Sequence, residues 1–519
     1  MKNALLTIIP SLLLILGCSS PKDKLIITYV PNGLSYSDIE ESDFSEFVNE
    51  DYHLESIKKK GDKVIVTFSV LNSCLAFNTE SSCLPHMSDI VEVSIPKSIT
   101  SIGTWAFVGC KSLTSITIPK SVTTIGENAF GRCEALKEIK IPNSVTSIGK
   151  WAFDGCKSLA SITIPKSVTT IGENAFNHCE ALKEIKIPNS VTTIGENAFN
   201  HCEALKEIEI PNSVTSIDGA FLYCESLTSI TIPESVTSIN SAFIGCKSLT
   251  SITIPESVTS IDGAFLICES LTSIIIPKSV TSIGDYTFSG CKSLKDIIIP
   301  NSVTSIGENA FSTCISLESI TIPDSVTSIG NCAFRECESL TSITIPDSVT
   351  SIGFGKWSFS DCKSLTSITI PDSVTSIGDF ALSGCESLTS ITIPDSVTSI
   401  GDSAFQGCKS LTSIRIPSSV TRIDSFAFLD CKSLESITIP SSVTYIGECA
   451  FSGCDRLNVV YESSSYHDLS LEYMNKANSL SIRIQNTIDP NERKALINER
   501  DYYLHLASEY RVKALTQYN

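Results

Sequence analysis

The sequence predicts a solenoid, in which similar short coils stack along one axis and each coil contacts only its neighbours. A proline recurs at intervals of 22 to 25 residues through most of the chain, and a fixed period in this range is typical of stacked repeats. Before each proline, polar and apolar residues alternate, as in Ser115-Ile116-Thr117-Ile118, which predicts a short half-buried strand. The sixteen prolines are Pro96, Pro119, Pro142, Pro165, Pro188, Pro211, Pro233, Pro255, Pro277, Pro300, Pro323, Pro346, Pro371, Pro394, Pro417 and Pro440.

The segment after each proline predicts the rest of the coil. Proline has no backbone donor, so the strand ends there. Val122 and Ile125 then begin a second inward-facing stretch. We expect Gly126 to turn the chain with a positive φ, which glycine adopts freely, and residues 127–131 to form one helical turn that directs Phe130 inward. Where the period changes, residues are lost or gained only at this corner, so the corner lies outside the stacked core.

The repeat resembles that of a known family. Its pattern is L-x-x-I-x-I-P-x-x-V-x-x-I-G-x-x-A-F-x-x-C, in register from Ile90 to about Tyr461. This pattern resembles the leucine-rich repeat of Treponema surface proteins and of the BspA adhesin of Bacteroidales. The resemblance implies a leucine-rich repeat solenoid with one parallel β-sheet on one face and turns and short helical segments on the other. It also implies a bacterial cell-surface protein that binds proteins, for adhesion to host matrix or to other cells.

The N-terminus has the layout of an export signal. A weakly basic start precedes an apolar run from Ala4 to Leu16, which is too short to span a bilayer as a helix. The sequence Ile15-Leu16-Gly17-Cys18 resembles the bacterial lipobox, which implies cleavage before Cys18 and acylation of its thiol. More than one acyl chain on this cysteine would hold the chain stably on a membrane. We therefore expect an exported protein anchored by lipid to a bacterial membrane at the cell surface; an ordinary signal peptide cleaved nearby is the alternative.

The composition limits the partners. The chain has 57 acidic residues against 38 Lys and Arg, a formal net charge of −19, so nucleic acid would be repelled. The same charge favours a soluble monomer. No nucleophile with a base, phosphate loop or paired-carboxylate cleft is recognisable, so we expect no cofactor and no enzymatic activity. The family resemblance implies a protein ligand instead. His178 and His201 hold equivalent positions in adjacent repeats and could pair on a metal, but the residues at this position in other repeats are typical of a surface loop.

The chain divides into four predicted segments. These are a lipoprotein signal peptide (1–18), a tether with a small β cap (19–89), the repeats (90–461) and a helical C-terminal cap (462–519). Caps are expected because a stack of repeats exposes its core at each end.

Local patterns predict the elements of these caps. Residues 24–30 and 62–70 have strand patterns, and the acidic segment 38–51 between them is predicted as a solvated helix or loop. Near the other end, Asp489 followed by Pro490 and Glu492 predicts a helix start.

Sixteen of the 21 cysteines occupy one position of the repeat, from Cys110 to Cys454. Their side chains would point inward along parallel directions, which does not suit disulfide geometry, so we expect a buried set of free thiols. Cys332 and Cys449 replace the Asn of the corner and lie too far apart to bridge. Cys74 and Cys83 precede the repeats and are the candidate disulfide.

Two positions on the strand-bearing face vary between repeats: the outward residue before the last isoleucine and the residue after the proline. The face changes from basic to acidic along the chain, and two adjacent isoleucines form an apolar spot where binding energy could concentrate. The alternative is that these are solvated loop residues without a ligand. The candidate binding residues are Lys140, Lys186, Glu209, Ile275, Ile298, Asp324, Asp347, Asp372, Asp395 and Arg415.

Two other functions fit the same pattern. Columns of threonine on a parallel sheet are similar to the hydroxyl arrays of polysaccharide-binding or ice-binding solenoids, although the charged residues that interrupt them count against this. A purely structural component of a surface layer is the other alternative.

Overall fold

Each repeat folds as one coil of a solenoid, as the sequence predicts. The computed structural model describes residues 24–30, 52–60, 63–70, 74–75, 87–349, 351–352, 356–461, 465–486 and 489–516. It divides into two units, Met1–Ser257 and Val258–Asn519, and each unit is described by itself below.

The first unit begins with an antiparallel cap. Strands β1 (Lys24–Tyr29), β2 (Tyr52–Lys60) and β3 (Lys63–Val70) lie in the sheet order β2-β3-β1, and β1 also pairs antiparallel with β4 (Ile90–Ser94). From β4 onward the same sheet continues with parallel strands from the repeats. The strands predicted at 24–30 and 62–70 are confirmed, whereas β2 was not predicted. Cys74–Leu75 is a short strand beside Ser101–Ile102, and Met87–Asp89 is a 3-10 turn. The acidic segment 38–51 lies outside the described residues.

The repeats of the first unit supply two parallel ladders of short strands. The ladder before the prolines consists of Ser115–Thr117, Glu138–Lys140, Ser161–Thr163, Glu184–Lys186, Glu207–Glu209 and Ser229–Thr231. The ladder after the prolines consists of Ser101–Ile102, Thr124–Ile125, Ser147–Ile148, Thr170–Ile171 and Thr193–Ile194. Single bridges extend both ladders, Thr231 with Thr253 and Ser216 with Ser238.

The second unit repeats this arrangement. Its strands before the prolines are Asp296–Ile298, Ser319–Thr321, Ser342–Thr344, Ser367–Thr369, Ser413–Arg415, Ser436–Ile439 and, in the last position, Asn458–Tyr461. Its strands after the prolines are Ser282–Ile283, Ser305–Ile306, Ser328–Ile329, Ser351–Ile352, Ser376–Ile377, Ser399–Ile400, Arg422–Ile423 and Tyr445–Ile446.

Each proline starts a tight turn between the two ladders. The Pro119 carbonyl accepts a hydrogen bond of 3.1 Å from the Val122 amide, and the later repeats form the same turn. Ser121 then donates its hydroxyl proton to the Ile99 carbonyl of the preceding repeat, at 2.6 Å. The proline therefore ends one strand, and the serine fixes the start of the next coil against its neighbour.

The corner that follows differs from the expectation for Gly126. Residues 127–132 form turns instead of the expected helical turn, although Phe130 is buried as expected. The left-handed conformation at the start of this corner belongs to Asn128, with φ of 54°. The φ of Gly126 is not in the left-handed region, so the predicted positive φ is wrong. A Cβ atom on Gly126 would lie 2.8 Å from the carbonyl carbon of Gly103. Glycine is needed here because the backbones of adjacent repeats approach closely.

A second left-handed position precedes the cysteine of each repeat. Glycine occupies it in some repeats, such as Gly155 with φ of 69°, but Arg132, His178 and His201 adopt φ of 54° to 57° in others. The backbone amide of His178 donates to the Asn200 carbonyl of the next repeat, at 2.8 Å. Hydrogen bonds of this kind between repeats can hold a residue with a side chain in a region that costs about 1–3 kcal/mol.

The core consists of identical residues stacked on one another. We use the word column for residues at the same position of successive repeats. The phenylalanine column is stacked from Phe107 to Phe243 with ring centroids 5.3 to 6.0 Å apart, and again in the second unit from Phe265 to Phe359. Leu382 takes this place in one repeat and is also fully buried.

The cysteine column lies against the backbone of the phenylalanine column. Its members are free thiols, and all are buried except Cys454, which is half-buried. The Cys133 thiol donates to the Phe107 oxygen of the preceding repeat at 3.2 Å, and the same bond to a backbone carbonyl recurs along the column, for example from Cys156 and Cys454. The predicted column of buried free thiols is confirmed. Cys332 and Cys449 are likewise free.

Two helices cover the end of the second unit. Helix α1 (Ser465–Asn486) packs along α2 (Pro490–Thr516), with Leu480, Ile484 and Leu496 buried between them. The Asp489 carboxylate accepts hydrogen bonds from the amides of Asn491 and Glu492 at 2.8 and 2.9 Å, which confirms the predicted helix start. Helix α1 was not predicted individually. Its Asn478 side chain donates to the Gly447 carbonyl at 3.1 Å and ties the helical cap to the last coil.

Candidate binding surface

The strands before the prolines expose their first and third residues and bury the second. In Ser115–Thr117, the two polar residues are exposed and Ile116 is buried. Alternation along a strand places these exposed residues on one face of the sheet. The third residue of each strand and the residue after the following proline therefore form two adjacent exposed columns, which together we call the strand face.

In the first unit the strand face carries both signs of charge. Lys140, Lys186 and Glu209 are all exposed at the third strand position. Lys140 lies in register between Thr117 and Thr163, and Lys186 lies in register with Thr163. Thr163 separates the two lysines, and Glu209 holds the same position in the repeat after Lys186, so basic and acidic side chains are both present on this part of the face.

In the second unit the strand face has an apolar spot. Ile275 and Ile298 pair directly across adjacent strands, and their side chains are 82% and 83% exposed. Among the described residues, no other large apolar side chain is exposed to this extent. Ile298 lies in register with Thr321 of the next strand. The structure thus brings the two predicted isoleucines together on an open surface.

Four aspartates continue the strand face beyond the isoleucines. Asp324, Asp347, Asp372 and Asp395 each follow a proline and are exposed. The serine after each aspartate donates to a valine carbonyl of the preceding repeat, as Ser348 does to Val326 at 2.8 Å. This serine ladder fixes the aspartates in one column, which we call the aspartate column.

The last aspartate of the column forms an ion pair with an arginine. Arg415 Nη1 lies 3.5 Å from Asp395 Oδ1, and both side chains are about three-quarters exposed. Because an exposed pair of this kind contributes only about 0–1 kcal/mol, it orients the two side chains rather than stabilising the fold. The repeat pattern alone did not predict this pair. It could have been inferred from the stacking of the repeats. Stacking places the third strand residue of one repeat, here Arg415, near the residue after the proline of the preceding repeat, here Asp395.

Threonines after the prolines form a separate ladder. Thr146 and Thr169 each donate their hydroxyl proton to the threonine carbonyl of the preceding repeat, at 3.4 and 3.3 Å. The same bond recurs in the second unit, for example from Thr327 to Thr304 at 3.2 Å. These hydroxyl protons are used within the protein, so this ladder offers a ligand acceptors rather than donors.

A cleft of about 330 Å³ lies between the last coil and the helical cap, within the second unit. Tyr445 and Glu448 of the last coil line one side, and Met474, Arg500 and Leu504 of the helices line the other. The Arg500 guanidinium already pairs with Asp501, at 2.6 Å. Two other polar groups of the lining are also used within the protein, since Ser470 donates to the Ala507 carbonyl at 2.7 Å and Asn478 donates to the Gly447 carbonyl.

The two histidines stack instead of converging on a metal. The rings of His178 and His201 are nearly parallel with centroids 4.4 Å apart, and Tyr223 continues the stack at 4.7 Å. Within the described residues, no group of three or more His, Cys, Asp or Glu side chains is placed to hold a metal ion.

Some predicted sites lie outside the part of the chain that the structure describes. These are Cys18, Cys83 and the side chain of Cys74. Among the helices that the structure describes, none combines the length and the apolar character needed to cross a bilayer.

Comparison with known proteins identifies the family. The model of the BspA-type leucine-rich repeat region matches residues 78–203, 152–265, 262–356 and 353–481. No curated protein matches the chain. A solved leucine-rich repeat protein from Bacteroides ovatus is 30% identical over 80% of this chain and 100% of its own, with a TM-score of 0.48.

Two further solved structures are similar. A leucine-rich cell-surface protein from Faecalibacterium prausnitzii is 30% identical over 81% of this chain and 95% of its own, with a TM-score of 0.32. The leucine-rich repeat protein of Treponema pallidum is 31% identical over 39% of this chain and 80% of its own, with a TM-score of 0.27. The repeat pattern, its fold and the family match agree, and the chain belongs to the BspA-type leucine-rich repeat family.

Proposed function

We propose that this chain is an exported lipoprotein whose strand face binds a protein ligand, for adhesion to host matrix or to other cells. The observation that carries the proposal is the exposed pair Ile275 and Ile298. Paired isoleucines on an otherwise polar face cost solvation free energy unless a partner covers them, and such a spot is where binding energy concentrates in protein interfaces. Proteins of this family are generally surface proteins that bind other proteins, which supports the same function.

The lipid anchor is proposed at Cys18. The support is the lipobox-like sequence Ile15-Leu16-Gly17-Cys18 after an apolar run. In cells given a clickable fatty-acid analogue, we expect the full chain to be labelled and a Cys18→Ser variant to remain unlabelled. Surface proteolysis of intact cells then reports whether the repeats are outside. Equal labelling of the two chains would contradict the anchor.

The ligand-binding role is tested at the isoleucine pair. We expect the mature chain, screened against immobilised fibronectin, laminin and collagen, to bind at least one of them. The double variant Ile275→Asp/Ile298→Asp should lose this binding, because it places two charges where apolar contact is needed. Far-UV circular dichroism should not change, since both side chains point into solvent.

A milder variant and a matched control guard against a folding defect. Ile275→Thr/Ile298→Thr installs the residue that Thr321 and Thr344 already supply at this position, and we expect it to weaken binding about tenfold or more. Thr344→Asp/Thr369→Asp places the same two charges on an equally paired position of this face and should retain the apolar contact. Binding that survives in both isoleucine variants would refute the role of this surface.

A further inference from the structure

The strand face of the second unit has two features that adjoin each other. Ile298 lies in register with Thr321, and Asp324 follows Thr321 by three residues, just after the proline. The aspartate column therefore begins one repeat beyond the isoleucine pair. In the column of residues after the prolines, Lys278 and Asn301 precede the four aspartates, and Ser418 and Ser441 follow them.

Three of the four charges of the aspartate column have no oppositely charged partner among the described residues. Asp395 pairs with Arg415, but in the described ranges Asp324, Asp347 and Asp372 form no ion pair. Neighbouring strands of a sheet lie about 4.8 Å apart, and like charges at such a distance repel each other even in water. The serine ladder prevents the column from spreading along the stack. A ligand that brings cations to this column would relieve the repulsion on binding.

The chemistry of the isoleucine pair narrows the ligand further. Covering Ile275 and Ile298 requires an apolar group, which a bare polycation does not supply. Polyanions such as nucleic acids or sulfated glycans would be repelled by the adjoining carboxylates. A protein segment that carries an apolar side chain with lysines or arginines next to it satisfies both features at once.

We infer that the ligand of the strand face is a basic protein segment, with an aliphatic or aromatic side chain on Ile275 and Ile298 and cationic side chains along Asp324, Asp347 and Asp372. This inference rests on the proposed function and specifies the partner of the same surface. Complementary charge mainly accelerates encounter, whereas apolar contact slows dissociation. The two features therefore have separable effects on the kinetics of binding.

The test uses a displayed library of random peptides, selected on the full mature chain at about 50 mM NaCl. We expect the enriched peptides to contain an apolar residue flanked by Lys or Arg. For individual peptides, the association rate should fall about tenfold between about 50 and 500 mM NaCl, because salt screens the exposed charges. Asp347→Asn/Asp372→Asn should reduce the association rate about threefold to tenfold at low salt. The charge-matched control Glu308→Gln/Asp455→Asn, at exposed residues outside the strand face, should leave it unchanged.

The outcomes separate this inference from the proposed function. Two results would contradict a basic ligand but leave the proposed binding surface in place. The first is enriched peptides that need Ile275 and Ile298 but lack basic residues. The second is peptides that bind Asp347→Asn/Asp372→Asn as fast as they bind the parent chain. Peptides that ignore Ile275→Thr/Ile298→Thr overturn the proposed surface. A library that yields no enriched peptide counts against both the basic ligand and the proposed binding surface.

Discussion

Raising the pH from about 8 to about 11 is expected to unfold the repeats, because the cysteine column must remain protonated in the core. Burial raises the pKa of the Cys224 thiol from 9.0 to about 12, and the Cys314 and Cys408 thiols have the same value for the same reason. A thiolate in this core would lose its hydration without gaining a cation. The stabilising effect of the protonated thiols is complete below pH 9, the pKa in the unfolded chain, and is lost as the pH rises toward 12.

The size of this loss of stability follows from the number of thiol protons that are released on unfolding. Between pH 9 and pH 12, each thiol whose pKa is raised by burial lowers the free energy of unfolding by up to about 1.4 kcal/mol for every unit by which the pH rises. Urea denaturation followed by circular dichroism at a series of pH values measures the slope. Replacing four buried cysteines together with alanine should make the fall of unfolding free energy with pH less steep; the four are Cys224, Cys314, Cys362 and Cys408. Alanine at the half-buried Cys332 should change this slope less. An identical slope in the four-alanine variant would assign the alkaline transition to other groups.

The phenylalanine column should be the most sensitive part of the core to a single truncation. Phe176 is fully buried, and its ring lies 5.3 Å from that of Phe153 and 5.6 Å from that of Phe199. Phe176→Ala should cost about 3–5 kcal/mol, because it removes the apolar contact on both sides and leaves a cavity between two repeats. Chemical denaturation of the purified chain measures this loss.

The chain itself supplies the control for this substitution. Leu382 is fully buried at the same position of another repeat, so Phe176→Leu should cost clearly less than Phe176→Ala, because leucine leaves the smaller cavity. Each repeat contacts only its neighbours, so the effect of Phe176→Ala should be strongest in proteolysis near residues 153–199. A cost of equal size for leucine and alanine would show that ring stacking, rather than buried volume, dominates this column.

The repeat itself was predictable from the sequence, because its evidence is local and recurs. The alternation around Ile116 fixes which residues are buried, and the proline fixes where the strand ends. The conformation of Gly126 was not predictable, because glycine serves both for a positive φ and for close approach of two backbones. Only the neighbouring repeat decides between them. For the same reason, the left-handed φ of Asn128 and His178 depends on hydrogen bonds to the next coil, which no single repeat reveals.

The candidate surface was predictable in its residues but not in all its contacts. Strand alternation correctly placed Ile275 and Ile298 outward, and the sequence shows that they are adjacent. The Arg415–Asp395 pair joins residues of two successive coils, so it needs the stacking geometry as well as the pattern. Helix α1 lacks a start signal as distinct as Asp489-Pro490, and its two partners, helix α2 and the last coil, lie elsewhere in the chain.

The contacts between successive coils have a consequence for length. A thiol of one coil meets the carbonyl oxygen of the coil before it, and a phenyl ring meets an identical ring, again and again within each unit. Inserting or deleting one whole copy would recreate the same junctions, with no new kind of contact to satisfy. The number of copies can therefore vary in steps of one coil, about 4.8 Å each, without redesign of the interior.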